Sequence, residues 1–307
     1  MKIALLGANG QLASDLKRAL STHDLVAFTR NDFDVTDREA TRERLVASEP
    51  EVIINTTAFH KVDVCESEPE EAFGVNAIAV FGLASVAQEL GAKLVHISTD
   101  YVFDGASREP YSEESVPRPT SIYAASKLAG EYGVRSTCER HIVVRTCGLY
   151  GAAGISGKGR NFVETMLGKA AAGDRIRVVD DQIVTPTPTA DLAAQMALLV
   201  ETDAHGLFHC TAEGSCSWYE FARAIFELSG LEARLEPTSG DTYKTPAARP
   251  AYSVLENRRL NALGLNRMRH WRSGLADYLS IKHGFGTDTG SAAGTIEKDV
   301  HAKSRAK

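Results

Sequence analysis

The sequence predicts an α/β fold, in which a doubly wound parallel sheet is followed by a smaller C-terminal α/β lobe. Short apolar, strand-like runs alternate with helical segments through the first 150 of the 307 residues, which is typical of a parallel sheet with helices on both faces. A glycine turn joins the first of these strands to the first helix. Beyond residue 151 the alternation becomes irregular, which indicates a second structural unit.

Composition favours a small-molecule partner. The formal net charge of −6 and the pI of about 5.9 provide no basic field for nucleic acid. No apolar run approaches the ~18 residues of a spanning helix, and Met1 leads into a strand-like segment without a signal-peptide pattern, so we expect a cytoplasmic protein with no membrane partner. The five cysteines form no Cys-x-x-Cys pair, which fits a reducing compartment. The nine histidines show no metal-ligand spacing, so no metal is expected.

The N-terminal strand, turn and helix have the pattern of a dinucleotide site. Strand Lys2–Leu6 runs into Gly7 and Gly10, and an amphipathic helix begins with Gln11 and Leu12. Glycines permit the tight turn and let the backbone approach a pyrophosphate, which rests on the free N–H groups of the helix N-terminus. This order of elements predicts a Rossmann-like domain over residues 1–150.

The end of the second predicted strand, residues 25–28, bears on the choice of cofactor, because it faces the adenosine ribose. An acid there binds the 2′-hydroxyl of NADH, whereas Thr29 and Arg30 offer a hydroxyl and a guanidinium that suit a 2′-phosphate. We therefore expect NADPH, while Asp32 and Asp34 keep NADH open.

The next elements continue the alternation. We predict a charged helix over residues 37–47, strand Val52–Asn55, helix Pro69–Leu90 and a fourth strand over residues 93–98. The carboxyl ends of parallel strands point at the ligand crevice. The loop at residues 56–60 is therefore expected to line the cofactor through its backbone.

A hydroxyl, a phenol and an ammonium group are predicted to meet after the fourth strand. Thr99 directly follows that strand, and Tyr123 and Lys127 are four residues apart on the following helix, on one face. A nearby positive charge is expected to lower the pKa of the phenol, and the three groups together can protonate a carbonyl oxygen. Tyr278 and Lys282 have the same spacing without such a strand end nearby, and we interpret that second pair as a coincidence.

These motifs identify a resemblance to the extended short-chain dehydrogenases/reductases and, among them, to the dTDP-4-dehydrorhamnose reductase family. The matching segments span about 250 residues in order: 7–12, 98–105, 123–127 with 130–131, 145–146, 161–162, 181–182 with 186–187, 217–219 and 249–250.

The resemblance implies NADPH-dependent reduction of the C4 ketone of a nucleotide-linked 4-keto-6-deoxy sugar. It implies that Thr99 orients the ketone, that Tyr123 protonates its oxygen, and that Lys127 lowers the tyrosine pKa and binds the nicotinamide ribose. Asp100 and Tyr101 would contact the sugar. The residues implied to contact the cofactor are Gly10, Gln11, Leu12, Asp34, Val35, Ala58, Phe59 and His60, besides Tyr123 and Lys127.

One departure from the family pattern puts the substrate in doubt. After the fifth strand, residues 141–145, the family has a pocket tryptophan, and this chain has Gly148. The pocket is therefore either wider or filled by another side chain. Two other activities stay open: a sugar-nucleotide epimerase or dehydratase that retains NAD, and a non-catalytic subunit resembling the regulatory β subunit of methionine adenosyltransferase.

Residues 151–285 are predicted to form the substrate-binding lobe. A glycine-rich loop at 154–159, a helix over 161–172, strand Arg175–Val179 and an apolar helix over 190–200 are expected in turn. Core positions under the lobe are assigned to Phe208, Trp218, Tyr219, Phe221 and Phe226.

Two further expectations concern the end of the chain. Arg249 is a candidate ligand for the substrate diphosphate, because a guanidinium binds phosphate in two-pronged fashion; capping a helix or pairing with Glu256 is the alternative. The polar residues 286–307 are predicted to be a disordered tail. A homodimer is left open.

Overall fold

The computed structural model describes residues 1–153 and 161–286. The predicted glycine-rich loop and, from residue 287, the predicted tail lie outside the described residues. The strands are β1 (Lys2–Leu6), β2 (Asp24–Phe28), β3 (Val52–Asn55), β4 (Lys93–Thr99), β5 (His141–Thr146), β6 (Leu149–Tyr150), β7 (Arg175–Val179), β8 (Ile183–Val184), β9 (Thr187–Pro188), β10 (Gly206–His209), β11 (Cys216–Ser217) and β12 (Arg234–Thr238). The helices are α1 (Gln11–Ala19), α2 (Arg38–Ser48), α3 (Val62–Ser67), α4 (Pro69–Phe73), α5 (Ala79–Leu90), α6 (Ile122–Thr137), α7 (Phe162–Ala171), α8 (Thr189–Val200), α9 (Trp218–Ser229), α10 (Arg258–Ala262) and α11 (Trp271–His283).

The main sheet has six parallel strands in the order β10-β5-β4-β3-β1-β2. The strand order reverses between β1 and β3, and ligands of such sheets bind outside the carboxyl ends of the strands at this switch point. Strand β10 comes from the C-terminal half of the chain, so the sheet is completed after part of the lobe has been built. The predicted doubly wound α/β fold is confirmed.

Both faces of the sheet are covered by helices. On one face Leu12 and Leu16 of α1 pack with Leu192 and Met196 of α8 in one apolar cluster. On the other face Val80 and Leu83 of α5 belong to a second cluster. A parallel sheet buried on both sides explains why its strands are nearly continuous apolar runs.

Residues 69–90 form one helical stretch that is interrupted by a π-helical turn, Gly74–Ile78, between α4 and α5. This turn buries Asn76, whose amide accepts from Phe59 N at 2.9 Å and donates to Phe59 O at 3.0 Å. By length and mean hydropathy, 1.4, this stretch could cross a membrane, although no such segment is expected from the sequence. Its α5 part packs in the second cluster described above, through Val80, Leu83, Ala84, Val86 and Ala87.

The lobe has its own core, formed by α7, α9 and α11 with the parallel pair β7 and β12. Phe221 and Phe226 are buried there, as predicted. The prediction that Phe208 lies in the core of the lobe is wrong, because Phe208 lies on β10 in the core of the main sheet. Tyr278 accepts from Asn161 at 3.0 Å and donates to Glu164 at 2.7 Å, so the second Tyr/Lys pair holds helices of the lobe together.

Candidate active site

Two adjoining cavities lie at the carboxyl ends of the main-sheet strands. The first, which we call the outer groove, has a volume of about 440 Å³. The second, the inner cavity, has a volume of about 390 Å³. They share Gly10, Thr56, Thr57, Ala58 and His60, so a long ligand can pass from one to the other.

The outer groove collects most of the residues expected to contact the cofactor: Gly7, Gly10, Arg30, Asp34, Val35, Ala58, Phe59 and His60. Gly7 has a φ of +79°, and a Cβ there would lie 2.7 Å from Thr56 Oγ1. Only glycine fits this turn without strain. Gly10 is the N-cap of α1, whose first turn has no acidic residue, so the positive end of the helix faces the groove.

Gln11 and Leu12 line the inner cavity instead. The Gln11 amide donates to the carbonyl oxygens of Gly151 and Ala153, at 3.2 and 3.3 Å. It therefore ties the glycine turn to the chain that enters the lobe.

Arg30 stands at the rim of the outer groove. Its guanidinium is 81% exposed and pairs with Asp34 at 3.0 Å. Hydrogen bonds from the Thr36 backbone and hydroxyl, and then the Arg30 charge, lower the pKa of Asp34. Thr29 donates to Asp32 within the turn. A guanidinium and an ionised carboxylate are thus neighbours where the adenosine end of a dinucleotide is expected.

The inner cavity brings together Thr99, Asp100, Tyr101, Tyr123 and Lys127. Thr99 is the last residue of β4, and Tyr123 lies in the first turn of α6. This helix is capped by Ser121, whose hydroxyl accepts from Ala124 N at 3.2 Å. The predicted set of hydroxyl, phenol and amine lines one cavity.

The pKa of Tyr123 differs from the expectation. Burial and the adjacent Asp100 carboxyl raise the pKa of the phenol, and a hydrogen bond with Thr99 acts in the opposite direction. The predicted lowering by Lys127 is not found, because the lysine amine is turned toward the sheet. The Tyr123 phenol therefore carries its proton at neutral pH and is available as an acid.

Lys127 is 2% exposed, and its Nζ donates to Ile97 O at 2.6 Å and lies 3.3 Å from His96 Nε2. Burial lowers its pKa to about 8, and the Glu131 carboxylate partly offsets this effect. Glu131 is itself held by Arg145, through N–O distances of 2.9 and 2.6 Å, with both side chains 1% exposed. Breaking such a buried pair typically costs about 3–5 kcal/mol.

Asp100 is enclosed beside the phenol. Its carboxyl is 3% exposed and accepts from Thr99 Oγ1 at 3.0 Å. Burial raises its pKa, while hydrogen bonds with Ser253 and Cys147 lower it. Burial likewise raises the pKa of the Cys147 thiol, which makes it a poor nucleophile. No sequence motif points to Ser253, which is 153 positions away from Asp100.

Arg249 lines neither cavity. Its guanidinium is engaged with Asp63, at N–O distances of 3.0 and 2.8 Å, rather than with Glu256. No sequence motif points to Asp63. The pair still acts electrostatically on Tyr101, since Arg249 lowers the pKa of that phenol against the larger effect of burial.

Gly148 and Trp218 both line the inner cavity. Gly148 has a φ of +57°, and a Cβ there would lie 3.2 Å from both Thr185 O and Pro186 Cα. Trp218, expected in the core, is half-buried and packs its ring on Phe162 at a centroid distance of 4.8 Å. The Ser217/Glu220 capping box fixes the start of α9 and hence the place of Trp218.

Metal-ligand clusters are absent from the described ranges 1–153 and 161–286. The groups that line the inner cavity include hydroxyl, phenol, amine and carboxyl groups.

Comparison with known proteins agrees with this geometry. Residues 1–283 match the model of a family described as the RmlD substrate binding domain. The chain is 40% identical over 280 residues to the spore coat polysaccharide biosynthesis protein SpsK of Bacillus subtilis, covering 91% of this chain and 96% of that protein. It is 39% identical over 287 residues to a dTDP-4-dehydrorhamnose reductase of Mycobacterium tuberculosis, covering 91% and 92%.

A solved structure shows the same arrangement of the chain. The dTDP-4-dehydrorhamnose reductase of Bacillus anthracis in complex with NADP superposes with a TM-score of 0.86 at 38% identity, covering 91% of this chain and 99% of that one. The family match spans both the main sheet and the lobe, so the chain belongs to the RmlD substrate-binding domain family, within the extended short-chain dehydrogenases/reductases.

Proposed function

We propose that this chain is an NADPH-dependent reductase that converts the C4 ketone of a dTDP-linked 4-keto-6-deoxy sugar, dTDP-4-dehydrorhamnose, to an alcohol. The observation that carries the proposal is the inner cavity, which is lined by Thr99, Tyr123 and Lys127 and shares lining residues with the outer groove. The name of the Mycobacterium tuberculosis relative and the NADP complex of the Bacillus anthracis structure support it.

The outer groove has the residues that NADPH requires. The α1 N-terminus and the Gly7–Gly10 turn would hold the pyrophosphate. Arg30 would bind the 2′-phosphate at the rim, and Lys127 would reach the nicotinamide ribose. Bound there, NADPH supplies the hydride for the ketone carbon.

The chain's own residues handle the oxygen of the ketone. The Thr99 hydroxyl orients this oxygen, and the Tyr123 phenol donates its proton to it, which leaves a phenolate. The charged form of Lys127 would stabilise the phenolate, once its amine turns from Ile97 O toward the cavity, until solvent returns a proton to the phenolate. Asp100 and Tyr101 would contact the sugar, and Arg249 would face its diphosphate once released from Asp63.

The test is oxidation of NADPH with enzymatically generated dTDP-4-dehydrorhamnose by the wild type and by Tyr123→Phe. We expect turnover in the wild type and a loss of about 10²–10⁴-fold in kcat in the variant, since the acid is removed. NADPH binding, followed by nicotinamide fluorescence, should persist. A wild type that binds NADPH but leaves this sugar unchanged would reject the substrate, and Gly148 would direct the search to other keto sugars.

The same preparation separates the other two activities. An epimerase or dehydratase would copurify with stoichiometric NAD, and a regulatory subunit would show no turnover with any keto sugar. Three further parts of the proposal follow from the sequence: a cytoplasmic protein, a division near residue 150 between dinucleotide and substrate units, and a homodimer as the assembly to test by light scattering.

A further inference from the structure

A chain of buried polar groups runs beneath the proposed catalytic lysine. His96 on β4 and Asn55 on β3 are both fully buried. His96 Nε2 lies 3.3 Å from Lys127 Nζ, and His96 Nδ1 lies 3.2 Å from Asn55 Nδ2. Asn55 in turn contacts Thr57, which lines both cavities. The lysine is thereby connected to the backbone of the loop between the two cavities.

The orientation of the Asn55 amide is determined by its neighbours. Its Oδ1 accepts from Thr57 N at 3.0 Å and from Thr57 Oγ1 at 2.6 Å. A backbone N–H can only donate, so turning the amide around would place two donors against each other. The Asn55 NH₂ group therefore points at His96 Nδ1.

This orientation fixes the histidine tautomer. His96 Nδ1 must accept from Asn55, so the neutral ring carries its proton on Nε2, which faces Lys127 Nζ. An ammonium group has no lone pair and would oppose this N–H with another donor. An uncharged amine accepts from it and still donates to Ile97 O.

We propose that His96 is a positioning residue for Lys127, which it contacts as the Nε2–H tautomer, donating to the uncharged amine and opposing its protonation. The proposal deepens the reductase function and rests on it for the role of Lys127. The charged form that supports the phenolate would then require His96 to change its tautomer, with loss of the Asn55 bonds to Thr57.

Other charged groups near Lys127 do not account for this effect. Glu131, one turn along α6, favours the ammonium form, but its carboxylate is shared with Arg145 on β5. Asp100 and Cys65 act on the Tyr123 phenol and raise its pKa. Burial lowers the pKa of Lys127, and the His96 N–H acts in the same direction.

Long-range nitrogen-15 correlation spectra of the wild type test the tautomer directly, above the Lys127 pKa of about 8. We expect His96 to show the Nε2–H pattern. His209 is an internal standard with the opposite tautomer, because its Nδ1 must donate to Tyr111 O at 3.1 Å. The His96 signals are assigned by their absence from His96→Gln, or by triple-resonance spectra if that variant does not fold. An Nδ1–H pattern at His96 would overturn the proposal.

Asn55→Asp provides the second test. The carboxylate can still accept from Thr57, but it now accepts from His96 as well, so the tautomer should change to Nδ1–H and leave Nε2 free to accept from charged Lys127. The alkaline inflection of kcat/KM should rise by about one pH unit. Asn261→Asp, on α10 outside both cavities, adds the same charge as a control. An inflection that moves equally in both variants, or in neither, would contradict the proposal.

The tautomer measurement fails independently of the proposed function, whereas the inflection of kcat/KM can be followed only in an active enzyme. The tautomer measurement involves neither NADPH nor sugar, so a missing reductase activity leaves it intact. Conversely, turnover of dTDP-4-dehydrorhamnose by a protein whose His96 is the Nδ1–H tautomer would retain the function and reject the role of His96.

Discussion

The Arg249 guanidinium and the Asp63 carboxylate form a two-pronged ion pair, with N–O distances of 3.0 and 2.8 Å. The pair joins α3, which follows the loop shared by both cavities, to the chain at residue 249, and Asp63 also accepts from Ala247 N at 3.2 Å. Both side chains are partly exposed, 27% and 40%, so the pair contributes only about 0–1 kcal/mol to stability. Its importance lies in where it holds the guanidinium.

We predict that Arg249→Ala and Asp63→Asn change the KM for the sugar nucleotide in opposite directions. Removing the guanidinium should raise KM by about tenfold, about 1.4 kcal/mol, if Arg249 binds the diphosphate. Asp63→Asn keeps an acceptor but removes the competing charge, so KM should fall. Steady-state kinetics with saturating NADPH measure both. An increase in KM in both variants would mean that the pair only holds the two segments together.

Arg30 is predicted to select NADPH over NADH. Arg30→Ala should weaken NADPH binding by about tenfold and leave NADH affinity nearly unchanged, because only the 2′-phosphate loses a partner. Fluorescence titration with each nucleotide measures the two affinities. Asp34→Asn is the matched control: it removes the ion pair of Arg30 and should not weaken NADPH. Equal losses for both nucleotides in Arg30→Ala would assign this side chain to the fold of the turn.

Lys127 is predicted to make stability depend on pH in the alkaline range. Its pKa is about 8 in the folded chain against an ordinary value of 10.5, so between these values the unfolded chain binds more protons and stability rises with pH. Relative to Lys127→Met, the wild type should gain about 2 kcal/mol from about pH 7 to about pH 9.5. Urea unfolding of both proteins at the two pH values gives the difference, in which other titrating groups cancel. A difference independent of pH would mean that the buried lysine titrates normally.

The sequence predicts secondary-structure elements better than it predicts contacts between residues that are distant in the chain. Strands β1, β3 and β7 have the predicted bounds, because buried parallel strands are continuous apolar runs with turn residues at their ends. The sequence also predicts that Thr99, Tyr123 and Lys127 lie close together, because Thr99 is at a strand end and the other two residues are one helical turn apart.

Contacts between distant segments have no such local signal. Asp63 and Arg249 are 186 positions apart, and either residue alone reads as an exposed charge. The four-residue spacing does not predict the raised pKa of Tyr123. It places Lys127 on the same face of the helix but contains no information on the direction of the amine. That direction is determined by Ile97 and His96 on the neighbouring strand. The periodicity of the helix carries no information about contacts with these strand residues.

Gly148 has no room for the tryptophan that the family pattern places at this position. Restoring the family's tryptophan by Gly148→Trp should destabilise the protein by about 1–3 kcal/mol, because φ is +57° and Cβ would meet Thr185 and Pro186 at 3.2 Å. Thermal unfolding of Gly148→Trp and Gly148→Ala measures this cost, which should be larger for tryptophan. We expect no gain in reductase activity from the added indole.

The aromatic surface of the inner cavity is instead provided by Trp218. Trp218→Phe retains the contact with Phe162 but shortens the surface that faces the sugar, so KM for dTDP-4-dehydrorhamnose should rise by about tenfold with little change in melting temperature. Phe162→Leu is the control. It alters the packing behind the indole, so it should lower the melting temperature more than it changes KM. If Trp218→Phe lowered the melting temperature and left KM unchanged, Trp218 would be a core residue after all, and the space left by Gly148 would be open to a larger sugar.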